Sequence, residues 1–133
     1  MSLRAPLAKA LHHGSAHAGV GHWLVQRVTA AALAPLAIWL LAALLPLPGY
    51  DYATVTRWIG AGAHPVLLAL TLLMACWHAW LGIQVVIEDY VHGFLARTIA
   101  LLVSLFVHVL LAAAGVYAVL HIALAGGAAA GGT

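Results

Sequence analysis

His78 is the residue that most needs a chemical explanation. It stands near the middle of the apolar run HPVLLALTLLMACWHAWLGIQVVI, which ends at Glu88 and Asp89. An ionisable side chain inside such a run is costly and usually functional. At helical spacing Thr71, Ala75, His78, Ala79 and Gly82 share one face, because positions three and four apart stack above one another. The face is a groove of small residues holding one imidazole. Such a groove serves close helix packing; it equally admits a flat porphyrin whose iron must reach the imidazole past its neighbours. Small residues fit both readings.

Other polar residues sit at the edges of apolar stretches. Arg27 lies at the mouth of an apolar run, where a snorkelling positive anchor is the default reading. Tyr90 reads by itself as an interfacial aromatic and Asp89 as a boundary residue. His108 shares a stripe with Ala100, Ser104 and Ala112, which points it toward protein and gives it a structural role. His12, His13 and His17 would cluster on one side of a helix. That cluster could take a transition metal, but with no carboxylate or cysteine nearby it reads better as an amphipathic segment against a soluble partner. His64, His92 and His121 read as helix-end residues at the interface.

Two blocks resemble a known family. HAWLGIQVVIEDYV, from His78 to Val91, is similar to the second helix and following loop of the succinate dehydrogenase hydrophobic membrane anchor, the small cytochrome b subunit of respiratory complex II. It joins an H-A-W-x-G pattern to a Val and then a D-Y-V triplet, with Arg97 following Tyr90. HWLVQRVTAAAL, from His22 to Leu33, looks like the approach to that family's first helix, with Trp, Gln, Arg and Thr in order.

The resemblance implies roles residue by residue. His78 corresponds to an axial ligand of a b-type haem, the other ligand coming from the companion membrane anchor subunit. Two imidazoles would hold the iron six-coordinate, suiting electron transfer. Asp89 and Tyr90 correspond to the quinone-site pair; a quinone carbonyl needs a hydrogen-bond donor, which a Tyr hydroxyl supplies, while the carboxylate could orient donors or relay protons. Arg27 corresponds to an arginine near a haem propionate, for which a guanidinium fork is suited. His22 is set against the same propionate, although some family members place a His six residues before this Arg, where Gly21 stands here. A haem held by His78 and His108 within one chain would depart from the family pattern.

These residues require an all-α integral membrane fold with three spans, at about residues 24–46, 65–88 and 97–124. Each is long enough for a bilayer core, which takes about 20 residues. Pro35 should bend the first span, and Pro46, Pro48 and Gly49 begin a long loop through Asp51, Arg57 and Trp58. The second and third spans are joined by EDYVHGFLAR, and GGAAAGGT ends the chain as a low-complexity tail expected to be flexible over 126–133. Residues 1–133 form one transmembrane domain, with 1–22 a cytoplasmic segment. Arg4, Lys9, Arg27 and Arg97 share one side of the membrane against Arg57 on the other, which by the positive-inside rule puts the N-terminus in the cytoplasm and the C-terminus in the periplasm.

Composition narrows the function. The chain is 65% hydrophobic and 6% charged, with a mean hydropathy of +1.08, so lipid is its main solvent. Five Lys and Arg against three Asp and Glu make no basic footprint for nucleic acid. Cys76 is the sole cysteine, which excludes an intramolecular disulfide. No apolar h-region precedes the first span, so no cleaved signal peptide is expected, and the lack of a transit peptide favours a bacterial inner membrane, crossed more than once. Without a nucleotide, flavin or iron–sulfur motif, this chain cannot oxidise succinate itself. The resemblance implies a flavoprotein subunit, an iron–sulfur subunit and the companion anchor as partners, with ubiquinone or menaquinone as substrate. The competing readings are a structural or assembly anchor without haem, and the anchor of a fumarate reductase.

Overall fold

The computed structural model describes the backbone of residues 14–130 and the side chains of 19–125. Four helices follow in order: α1 (Gly14–Leu44), α2 (Tyr52–Ile59), α3 (His64–Tyr90) and α4 (Phe94–Ala130). Three stretches are long and apolar enough to cross a membrane: Gly19–Leu44, His64–Tyr90 and Phe94–Ala125. At 1.5 Å per residue each exceeds the roughly 30 Å of a bilayer core. The all-α, three-span expectation therefore holds.

The ends of these helices follow from local chemistry. α1 passes through Pro35 and closes in a turn in which Leu45 N–H donates to Leu41 O at 3.0 Å and Leu47 N–H to Leu44 O at 3.2 Å. α3 opens with Pro65 in its first turn, where a missing N–H costs nothing. It runs two residues past the expected end, and α4 begins three residues before Arg97. The connection is thus only residues 91–93. Val91 N–H still donates to Ile87 O at 2.9 Å, and Arg97 N–H to Gly93 O at 2.8 Å, so the backbone is satisfied helically up to the break. α4 also continues into the low-complexity segment as far as Ala130.

The long loop contains a helix that its sequence does not announce. Asp51 caps α2, accepting from Thr54 N–H at 3.0 Å, which satisfies one of the orphan donors of a helix start. The hydrogen bonds from Thr54 hold the exposed Asp51 carboxyl below its ordinary value, the side-chain bond more than the backbone one. α2 is tied to the spans by aromatic contacts. Trp58 stacks on Trp39 of α1 with centroids 6.4 Å apart and planes 18° apart. The His64 ring lies 4.8 Å from Trp58, and its Nδ1 is 2.7 Å from Trp58 O; a carbonyl only accepts, so Nδ1 is the donor.

α3 is the centre of the molecule. It packs against α1 on one side and α4 on the other, while α1 and α4 make no contact with each other among the described residues. The result is an open layer of helices. Small residues set the α3–α4 approach: a Cβ placed on Gly115 would lie 3.0 Å from Leu72 Cδ1. Among the described side chains, only Leu81, Val119 and Thr29 are buried. Apolar side chains facing outward from a spanning helix are in a compatible solvent, because lipid tails are as apolar as they are.

Candidate functional site

The site lies where α1 crosses α3. On α1, His22, Gln26 and Thr29 recur at steps of four and three and form one stripe. Trp23, Arg27 and Ala30 form the neighbouring stripe. Trp23, Gln26, Arg27 and Ala30 line a half-open cleft of about 250 Å³ with His78 of α3. The Arg27 guanidinium carbon sits 5.4 Å from the centre of the Trp23 ring, a cation–π contact that keeps the charge at the cleft. The structure thus brings together Arg27 and His78, two residues far apart in the sequence.

His78 is half-buried, and its ring is anchored from the opposite helix. Its Nδ1 lies 2.9 Å from Thr29 Oγ1, and that oxygen is also 3.0 Å from Gln26 O. Thr29 is only 6% exposed, which leaves little of it open to a competing partner. Beside it, a Cβ on Gly82 would lie 3.6 Å from Gln26 Nε2, an ordinary contact distance. Ala75 and Ala79 flank His78 and are exposed, so the small-residue face stays open next to the imidazole.

The remaining sequence-derived residues are distributed around this cleft. His22 does not line it; its Nε2 is buried without a hydrogen-bond partner. Asp89 and Tyr90 occupy the last turn of α3 and are exposed. Because α3 is continuous to Tyr90, Asp89 lies about 16 Å along the axis from His78 and about 20° round it, by helical geometry. His78 and Asp89 therefore share one face of the helix. In the same turn Gln84 Nε2 donates to Glu88 Oε1 at 2.9 Å.

His108 is not drawn to His78. Its Nδ1 donates to Ser104 O of its own helix at 2.7 Å, whereas His78 bonds across to α1. Among the described residues no three His, Cys, Asp or Glu side chains come together as a metal site, and the His12, His13 and His17 side chains lie outside the described residues. Thr29 and Gln26 are the site residues that sequence reasoning missed. Thr29 is the only polar side chain within residues 28–45, a signal that becomes readable once its partner helix is known.

Three helices long and apolar enough to span a membrane, with a cleft lined by His78 and Arg27 between two of them, define a polytopic membrane protein. Residues 1–119 match the family model described as succinate dehydrogenase/fumarate reductase transmembrane subunit. The chain belongs to this family, and it is a membrane anchor subunit of the succinate dehydrogenase complex. It is 37% identical over 105 residues to the succinate dehydrogenase hydrophobic membrane anchor subunit of Rickettsia conorii, covering 77% of this chain and 83% of that one. The Rickettsia felis counterpart is 37% identical over 111 residues, covering 83% and 88%. The succinate dehydrogenase membrane anchor subunit of Reclinomonas americana is 31% identical over 96 residues, covering 70% and 80%. No solved structure matches the chain.

Proposed function

We propose that this anchor subunit holds a b-type haem jointly with the companion membrane anchor subunit and forms part of the quinone-reduction site of succinate:quinone oxidoreductase. The observation that carries the reading is the cleft that joins His78 to Arg27. The donor set suits the group: a half-buried imidazole for iron, a guanidinium for a propionate, and exposed Ala75 and Ala79 that leave the approach clear. His78 would hold the iron together with a residue of the companion anchor, while Arg27 would hold a propionate. A bound haem would supply a one-electron relay within the apolar layer.

The chemistry of this chain's own residues lies at the end of α3. Reducing ubiquinone or menaquinone takes two electrons and two protons, and the electrons arrive from the flavoprotein through the iron–sulfur subunit. The Tyr90 hydroxyl donates a hydrogen bond to a quinone carbonyl, drawing electron density toward that oxygen. Asp89, beside it in the last turn, orients this donor and passes protons from the aqueous side. His22, carried over as a second propionate contact, would have to turn its buried and unpartnered Nε2 toward the cleft to reach that group.

The test is a reduced-minus-oxidised spectrum of the purified complex. Wild type is expected to show a b-type band, and His78→Ala to lose it while the subunits remain associated. A complex without the band would leave the chain as a haem-free anchor, and a variant that keeps it unchanged would remove His78 as the ligand. Comparing succinate-driven quinone reduction with quinol-driven fumarate reduction separates a dehydrogenase anchor from that of a fumarate reductase.

A further inference from the structure

We infer that Thr29 is a positioning residue: it fixes the tautomer and ring orientation of His78, so that Nε2 is the nitrogen presented for ligation. The inference rests on the haem reading and adds a residue to it. Thr29 Oγ1 has one proton and two close neighbours, Gln26 O at 3.0 Å and His78 Nδ1 at 2.9 Å. A backbone carbonyl has no proton to give. The contact with Gln26 therefore uses the Thr29 proton, in the back-bonding arrangement that Ser and Thr adopt within helices.

What remains on Thr29 Oγ1 is lone-pair density, so the His78 contact requires the proton to be on Nδ1. The opposite assignment, with Thr29 donating to Nδ1, would press the Gln26 carbonyl against a hydroxyl lone pair, and Thr29 is too buried for water to relieve it. A neutral imidazole protonated at Nδ1 carries its free lone pair on Nε2. Outer partners of this kind orient ligating histidines and raise their basicity. A further consequence concerns redox balance. An acceptor on Nδ1–H makes the ring a stronger donor, which favours ferric over ferrous iron and lowers the midpoint potential.

The test uses the intact complex with Thr29→Val, Thr29→Ser and Thr29→Cys beside wild type and His78→Ala. Valine matches threonine in shape and lacks the acceptor; serine keeps the hydroxyl; cysteine offers a weaker acceptor. The expected result is a haem midpoint potential that rises in Thr29→Val, rises less in Thr29→Cys and stays at the wild-type value in Thr29→Ser. The ferric low-spin signal should shift in the same order. If Thr29→Val fails to assemble, the Thr29→Cys shift decides the matter. Equal potentials across the assembled variants would overturn the role of Thr29 while leaving His78 as ligand. A b-type band that survives His78→Ala would instead overturn the haem reading beneath it.

Discussion

At the scale of single residues, two of the polar positions proposed for the site differ in what they already touch. Thr29 and His78 satisfy each other within the fold, whereas Tyr90, 78% exposed, keeps its hydroxyl for something outside the chain. Truncating that hydroxyl should therefore disturb function and leave the fold alone. Tyr90→Phe is expected to preserve assembly and the haem spectrum and to lower kcat/KM for quinone roughly two- to tenfold, the worth of one hydrogen bond. Unchanged steady-state quinone kinetics would remove Tyr90 from the site. His78 stands out as an ionisable group inside an apolar run, whereas Asp89 and Tyr90 read as boundary residues and draw a proposed role only from the resemblance of the D-Y-V block. Gln26 could not be read in advance, since its part depends on which helix lies across from Gly82, and periodicity within one helix does not say that.

At the scale of elements, the spans were legible and the short helix was not. A span announces itself by length without charge, and four of the six ends of the long helices come within three residues of expectation, whereas α1 starts ten residues before residue 24 and α4 runs six past residue 124. α2 has eight residues, too few for a repeating pattern to stand out against a Pro- and Gly-bounded loop. Its start depends on one cap. Asp51→Ala is expected to speed amide exchange at Thr54, whereas Asp51→Asn, which retains an accepting oxygen, should not. The carboxyl is held below its ordinary value of 3.8, so its contribution to α2 is complete at neutral pH and fades only as the pH falls below that value toward its folded one. Exchange at Thr54, corrected for intrinsic rate, should accordingly rise in acid in wild type and stay flat in Asp51→Asn. The α3–α4 seam offers a second test. Gly115→Val would drive a branched side chain into Leu72, whose Cδ1 lies 3.0 Å from the Cβ position; a loss of about 1–3 kcal/mol is expected from overpacking, read as a lower Tm of the solubilised complex. Gly115→Ala needs only a small shift of the flexible Leu72 side chain and should cost less.

For the whole molecule, the open layer explains why a chain this apolar has so little interior of its own. Among the three long helices α3 is covered on two sides and α1 and α4 on one each, with the short α2 packed across α3 and α4, so the faces beside His78 that the fold leaves uncovered are where a companion anchor would close the cleft. Which way the layer sits in the membrane decides whether the proposed quinone end can meet its electron donors. From the sequence, Arg4, Lys9, Arg27 and Arg97 are expected on one side and Arg57 alone on the other, because the Lys and Arg bias of short loops sets orientation. With each of the three candidate spans crossing once, the two termini are expected on opposite sides, which makes the prediction a sharp one. A phosphatase fused after residue 133 in a bacterial host should be active in the periplasm, and a fluorescent reporter at the same place should stay dark. The short connection at residues 91–93, with Asp89 and Tyr90 before it, then faces the cytoplasm, where the iron–sulfur subunit would dock. A dark phosphatase with a bright reporter would invert the layer, carry Tyr90 to the periplasmic side, and cut the proposed quinone site off from its source of electrons.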